Sequence, residues 1–127
     1  MASEPDADWE LLRRGVGRVI EEGRLGRPTV VRCTLRAGTE PDEIAAGVER
    51  LTALAAEWFG ERPSVSHTAG GPERGHVITL LRFPGGQTAL LSVGAGPRGD
   101  RGGGDLIVLG SRGALYFDVP RPMGGGA

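Results

Sequence analysis

The chain has 127 residues, a length that suits one domain and leaves no room for a cofactor domain beside a substrate domain. Hydrophobic residues make up 39% of it and charged residues 24%, as in an ordinary globular protein. Fifteen basic residues against sixteen acidic ones give a formal net charge of -1. Because nucleic-acid and anionic-membrane binding require a basic excess, we expect neither partner.

Two residue types are informative by their scarcity. The chain contains no lysine. This excludes a lysine Schiff base, a P-loop and a lysine that acts as general acid. Its only cysteine, Cys33, can form no internal disulfide, and we interpret it as a small buried apolar residue instead of a nucleophile. No run of 18 apolar residues and no basic, apolar leader is present, so we predict a cytoplasmic protein without a membrane span.

The first half of the chain predicts a helix, a strand and a second helix. After a tail over residues 1–7, apolar residues recur at three- and four-residue spacing from Asp8 to Glu22, and Gly23 ends this helix. Residues 29–36 alternate, with Val31, Cys33 and Leu35 on one face, and predict a half-buried strand. The second helix begins at Pro41 and ends at Gly60, with an inward stripe of Ile44, Val48, Leu51, Ala55 and Trp58.

The second half predicts five strands, because the apolar period changes to two. Their bounds are 63–69, 76–83, 87–93, 105–109 and 114–119. The glycine-rich segment Gly94–Gly104 joins two strands and precedes no helix, so we interpret it as a mobile hairpin connection, with a lid as the alternative, and not as a phosphate loop. Residues 120–127 are a tail. The pattern predicts a single α+β domain over 8–119: a mainly antiparallel open sheet of about six strands with two helices on one face.

Four segments together resemble the C-terminal substrate and oligomerisation domain of the glucose-fructose oxidoreductase and inositol dehydrogenase family. They are residues 20–31, 58–65, 76–91 (HVITLLRFPGGQTALL) and 109–118 (LGSRGALYFD). The resemblance extends from about Trp9 to Val119. It implies a ferredoxin-like, open and predominantly antiparallel sheet covered by helices on one side. In many members of the family, the other face packs against a partner subunit.

The departures from this family concern its chemistry. The family binds its nicotinamide in an N-terminal Rossmann domain, and a Glu-Lys-Pro segment supplies the catalytic lysine. This chain has neither a Gly-x-Gly-x-x-Gly motif after a strand nor any lysine. The family also places an Asp and a His one helical turn apart on the helix that corresponds to residues 44–59, where this chain has neither. We therefore expect no cofactor, no catalytic residue carried over from the family and no autonomous NAD(P)-dependent dehydrogenase activity.

A set of polar strand residues is the candidate ligand site. His67 and His76 lie at the ends of neighbouring predicted strands and, with nearby arginines and a tyrosine, could line a pocket for a small anionic or polyhydroxylated ligand. The simpler interpretation is that they are solvated strand residues. Two histidines alone do not make a zinc site, so we expect no metal. The candidates are Arg32, Arg36, His67, His76, Arg82 and Tyr116.

Three hypotheses for the function follow. The leading one is a noncatalytic binding or assembly subunit derived from an oxidoreductase substrate domain, which forms a homodimer through its open sheet face or binds a separate protein partner. The second is a small cofactor-free lyase, isomerase or cyclase of a biosynthetic pathway that uses His67, His76, Tyr116 or Arg82 as acid, base or anion clamp. The third is the substrate half of a split dehydrogenase.

Overall fold

A computed structural model describes residues 4–95 and 101–118 of the chain. These residues form two α-helices, one on each side of the first β-strand in the chain, and then five further strands, and a short 3-10 turn connects the second and third strands. The elements are α1 (Glu4–Glu21), β1 (Pro28–Ala37), α2 (Pro41–Phe59), β2 (Val65–Gly71), β3 (His76–Arg82), β4 (Thr88–Gly94), β5 (Arg101–Gly110) and β6 (Ala114–Asp118).

The six strands form one open sheet in the order β2-β3-β4-β1-β5-β6. Neighbouring strands are antiparallel except β1 and β4, which are parallel. The chain leaves β1 through α2, forms the β2–β3 hairpin and returns as β4 beside β1, and a parallel pair requires such a long crossover. The predicted α+β fold with a mainly antiparallel sheet is confirmed.

The helix α1 begins at Glu4, within the segment that the sequence assigned to a tail. Its predicted apolar stripe is confirmed, since Leu12 and Val16 are buried and Trp9, Val19 and Ile20 pack against the core. Gly23 ends the helix with a φ of 75°, a left-handed conformation that glycine adopts without steric penalty.

The helix α2 has the predicted bounds. Pro41 occupies its first turn, and Gly60 closes it in the left-handed conformation while donating its N–H to the carbonyl of Ala56. Gly47 lies where the helix approaches the sheet closely, because a Cβ there would stand 2.9 Å from Leu35 Cδ2 and 3.1 Å from Val93 Cγ1. A glycine that is unfavourable for the isolated helix therefore permits its packing.

The core lies between the helices and one face of the sheet. Alternate residues of the central strands supply it, including Val31 and Cys33 of β1, Leu91 of β4, and Leu106 and Val108 of β5, all at most 1% exposed. Because successive side chains of a strand point to opposite faces, the intervening residues lie on the side opposite α1 and α2.

The interpretation of Gly94–Gly104 as a hairpin connection is wrong. The strands that it joins, β4 and β5, are not neighbours, because β1 lies between them and is hydrogen-bonded to both. The strand β5 also begins at Arg101, inside the segment that was assigned to the connection. Residues 96–100 lie outside the described part of the chain, as do Val119 and the predicted tail 120–127.

Candidate functional site

The sheet surface opposite the helices, called the open face from here on, carries the candidate site. Strand register defines its members, since directly paired residues of adjacent strands project on the same side. They are Val65, His67 and Ala69 of β2; His76, Ile78, Leu80 and Arg82 of β3; Thr88, Leu90 and Ser92 of β4; Val30, Arg32, Thr34 and Arg36 of β1; Asp105, Ile107 and Leu109 of β5; and Ala114, Tyr116 and Asp118 of β6.

The open face is rich in exposed apolar side chains. Five large apolar residues are exposed in the described part of the chain, and all but Leu11 lie on this face. These four are Val65, Ile78, Leu109 and Tyr116, with 42%, 41%, 40% and 60% exposure. Half-buried residues of the same face fill the space between them, namely Val30, Leu80, Leu90 and Ile107. The apolar surface therefore extends across all six strands.

All the sequence-predicted site residues lie on the open face, and the register separates most of them. One cross-strand row runs from His67 through Leu80, Leu90, Arg32 and Ile107 to Tyr116. With strands about 4.8 Å apart, His67 and Arg32 are on strands about 14 Å apart, and Arg32 and Tyr116 on strands about 10 Å apart. The residues therefore share a surface without converging on one point.

The two histidines also lie apart. The strands β2 and β3 are neighbours as predicted, but His67 pairs with Leu80 whereas His76 pairs with Gly71. Four residues of β3, or about 13 Å, separate the two positions. Among the predicted site residues, His67 and Arg82 are the one pair of diagonal neighbours. Both are basic residue types, so the register does not place an acidic group beside a basic one.

Two polar pairs on this face include residues that the sequence did not single out. His76 Nε2 lies 2.8 Å from Ser92 Oγ, and the Tyr116 hydroxyl donates a 2.7 Å hydrogen bond to Asp105 Oδ1. This bond is the main reason that the pKa of Tyr116 is raised. The alternation of buried and outward residues along each strand could have identified Ser92 and Asp105 from the sequence, because both are polar residues at outward positions next to buried apolar ones.

Cys33 lies on the opposite, helix-facing side of β1. It is 1% exposed and unpaired, so the interpretation as a small buried residue is confirmed. Burial, helped by the charge of Asp105, raises the pKa of its thiol to about 12. The thiolate needed for nucleophilic chemistry is therefore strongly disfavoured.

The helix side of the molecule carries most of the ion pairs found in the described residues. A shallow groove between α1 and α2 is lined by charged and aromatic side chains. Arg13 bridges the helices across it, with nitrogen–oxygen distances of 2.7 Å to Glu10 and 2.8 Å to Glu57, and the Arg50 guanidinium stacks 5.2 Å from the centre of the Trp9 ring. These groups pair with one another, so they hold the helix layer together.

The described residues contain neither a membrane-spanning helix nor a cluster of metal ligands. Neither helix is long and apolar enough to cross a membrane. No group of three or more histidine, cysteine, aspartate or glutamate side chains is arranged to hold a metal ion in this part of the chain.

Comparison with known proteins gives similarity at the level of structure. No protein-family model and no curated protein sequence matches the chain. Solved structures do match, among them a probable dehydrogenase from Thermotoga maritima with a TM-score of 0.72 and 19% identity, covering 91% of this chain and 40% of that one.

Two inositol dehydrogenases show the same relationship. Myo-inositol 2-dehydrogenase from Lactobacillus plantarum matches with a TM-score of 0.60 and 15% identity, covering 83% of this chain and 38% of that one. Scyllo-inositol dehydrogenase from Lactobacillus casei was solved with NAD(H) and scyllo-inositol bound. It matches with a TM-score of 0.58 and 13% identity, covering 87% of this chain and 40% of that one. The chain thus spans about 40% of the length of these enzymes. It has the fold of one part of the inositol dehydrogenases and related oxidoreductases, as expected for the C-terminal domain that the sequence resembles.

Proposed function

We propose that this chain is a noncatalytic binding and assembly module that forms a homodimer through its open face. The observation that carries the proposal is the set of exposed apolar residues on that face, Val65, Ile78, Leu109 and Tyr116. Soluble monomers rarely expose a contiguous apolar surface larger than a few hundred Å², and such surfaces usually mark an interaction site. A second copy of the face would remove these side chains from water.

The dimensions of the open face suit a dimer interface. Six strands about 4.8 Å apart, each about seven residues long with a rise of about 3.3 Å per residue, cover roughly 650 Å² in projection. A stable interface of standard size buries about 800 Å² of accessible surface on each partner. Side-chain relief raises the accessible area above the projected area, so one face meets this requirement.

The wide spacing of the strands that carry the predicted polar site residues supports a noncatalytic role. A catalytic site needs its groups within hydrogen-bonding reach of one reacting centre. Here Arg32, His67 and Tyr116 lie on strands about 10 Å or more apart. The sequence adds that the chain has no lysine and that α2 lacks the family's Asp and His pair.

One observation favours the second candidate, a cofactor-free enzyme. The 2.8 Å contact between His76 Nε2 and Ser92 Oγ is the arrangement in which a histidine base activates a hydroxyl nucleophile. Ser92 is half-buried and His76 is exposed at one end of the open face, where a substrate could approach them. Covalent labelling of Ser92 separates this candidate from the noncatalytic proposal.

Sedimentation velocity over a broad concentration range tests the dimer. We expect the wild-type chain to pass from monomer to dimer as its concentration rises, and Ile78→Glu to weaken the dimer at least about tenfold, since it places a charge in an apolar interface. Leu11→Glu is the matched control, because Leu11 is also large, apolar and exposed but lies on α1. A wild-type chain that stays monomeric throughout, or an equal effect of both substitutions, would contradict the proposal.

A further inference from the structure

A cleft lies between the second half of α1 and the C-terminal end of α2, on the opposite side of the sheet from the open face. Its volume is about 450 Å³, and small-molecule sites commonly have about 300 to 1,000 Å³. The bridging pair of Arg13 and Glu57 borders both this cleft and the groove beside Trp9. The cleft is therefore a separate space, large enough for a small metabolite.

Trp58 lines this cleft and carries a hydrogen-bond donor without an acceptor. The residue is 6% exposed, and its buried indole Nε1 has no hydrogen-bond acceptor among the residues that the structure describes. Buried indole N–H groups usually have a partner, because water can no longer satisfy them. A ligand oxygen in the cleft would supply the acceptor.

Gly17 lines the cleft from the side of α1 and keeps it open. Glycine is unfavourable inside a helix, and packing does not require it here, because an added Cβ would meet no described neighbour within 4 Å. Gly47 differs, since a Cβ there would meet Leu35 and Val93. A residue that breaks a local preference without a structural gain is expected at a functional site. A longer side chain at position 17 would fill part of the cleft.

Two charged side chains of the cleft have no ion-pair partner in the described part of the chain. Arg13 and Arg14 are both held by Glu10. Arg18 and Glu21, one turn further along α1, are exposed and join none of the ion pairs found among the described residues. The cleft therefore offers one basic and one acidic group for contact with a ligand.

We propose that the cleft binds an α-amino acid with an apolar side chain. The ligand's carboxylate accepts hydrogen bonds from the Arg18 guanidinium and the Trp58 indole N–H, which are the two donors without a partner. Its ammonium group lies beside the carboxylate of Glu21. Its side chain packs on Ile20 and the Trp58 ring, the two apolar side chains of the lining.

The charge of the lining favours a zwitterion over an anion. Three arginines line the cleft, and they are balanced by Glu21, Glu57 and the Glu10 carboxylate that holds two of them. A phosphate or a dicarboxylate would meet Glu21 and Glu57 without a surplus of arginines, whereas a zwitterion is complementary to both signs. This site does not depend on the proposed dimer, because the helices and the open face lie on opposite sides of the sheet.

Nuclear magnetic resonance of the indole N–H groups tests the site, because the chain has two tryptophans, Trp9 and Trp58. In an isotope-labelled chain, leucine at millimolar concentration should shift the Trp58 indole proton downfield, as a new hydrogen bond does, and should move the Trp9 signal less. The variant Trp9→Phe assigns the two signals. A Trp58 signal that neither leucine nor phenylalanine moves would overturn the proposal.

Two analogues of leucine separate the charged contacts. Isocaproate lacks the ammonium group, and isopentylamine lacks the carboxylate, so both should bind more weakly than leucine. We expect Arg18→Gln to weaken leucine binding about tenfold, as the loss of a hydrogen bond to a charged group does. Arg24→Gln is the matched control, because Arg24 is also exposed but does not line the cleft. Equal effects of the two substitutions would contradict the site.

Glu21→Gln tests the ammonium contact. It should weaken leucine binding about threefold, as the loss of an exposed ion pair does, and should not weaken the binding of isocaproate. An equal loss for both ligands would show that Glu21 does not contact the ammonium group.

Gly17→Leu tests the cleft itself. The new side chain fills part of the cleft, so calorimetry should detect no binding of the amino acid. Thermal unfolding followed by circular dichroism should show a fold at least as stable as the wild type, because leucine forms helices better than glycine. A folded Gly17→Leu variant that binds leucine as tightly as the wild type would place the ligand elsewhere and overturn the proposal.

Discussion

The hydroxyl of Tyr116 on β6 donates a 2.7 Å hydrogen bond to the carboxylate of Asp105 on β5. The two residues are diagonal neighbours, since Tyr116 pairs with Ile107 and Asp105 with Asp118. Ionisation of the phenol would place a second negative charge against the carboxylate and would break the bond. The pKa of Tyr116 is raised for this reason first, and the more distant charge of Asp118 adds a smaller effect.

The first prediction concerns this titration. Tyr116 is the only tyrosine in the chain, so the absorbance of tyrosinate reports on it alone. We expect a pKa above the ordinary value of about 10, a fall toward that value in Asp105→Asn, and a smaller fall in Asp118→Asn. Equal effects of the two substitutions would contradict the assigned hydrogen bond.

The sign of the accompanying change in stability follows from linkage. The folded chain binds the phenolic proton more tightly than the unfolded chain does. The contribution of the bond is therefore fully present below pH about 10, and it is lost as the pH rises through the raised pKa. Asp105→Asn should reduce this loss in a profile of unfolding free energy against pH, because burial and the charge of Asp118 still raise the pKa of Tyr116.

The second prediction compares two helix glycines by chemical denaturation. Gly17 has nothing within 4 Å of an added Cβ, so Gly17→Ala should raise the free energy of unfolding by up to about 1 kcal/mol through helix propensity alone. At Gly47 the same methyl group would meet Leu35 and Val93 at 2.9 and 3.1 Å. Overpacking costs about 1 to 3 kcal/mol, so we expect Gly47→Ala to be less stable than Gly17→Ala by about that amount, because both substitutions share the gain in helix propensity. A stabilised Gly47→Ala variant would show that α2 does not approach the sheet this closely.

The third prediction concerns the single thiol. Cys33 is 1% exposed, and burial raises its pKa to about 12, so an aromatic disulfide reagent should not label the native chain at neutral pH. The same reagent should label one thiol per chain at once in denaturant, which provides the control. Rapid labelling without denaturant would place Cys33 outside the core.

The fourth prediction separates the two candidate functions. A fluorophosphonate, which forms a covalent bond with activated serines, should label Ser92 no faster than an ordinary surface serine if the chain is noncatalytic. Mass spectrometry of the wild-type chain, Ser92→Ala and His76→Ala measures this directly. Fast labelling that both substitutions abolish would establish an activated Ser92 and favour the cofactor-free enzyme.

Much of the site could be predicted from the sequence, because strand alternation is a local property. The assignment of Arg32 and Arg36 to one face of β1 and of Cys33 to the other follows from the two-residue period and is confirmed by burial. The contacts of His76 with Ser92 and of Tyr116 with Asp105 could not be predicted in the same way. They depend on which strands are neighbours and in which register they pair, and neither is set by the residues of one strand.

The sequence by itself determined the two helices, most strand positions and the division of each strand into an apolar and a more polar side, because propensity and periodicity act over a few residues. Only the tertiary structure decided that β1 inserts between β4 and β5, so that these two strands do not form a hairpin. It also placed Arg32 and Arg36 in the middle of the open face, on the strand β1, and Tyr116 on the edge strand β6. Strand order depends on hydrogen bonds between segments far apart in the chain, and the free energy that selects it comes from burying the helix-facing side of the whole sheet at once.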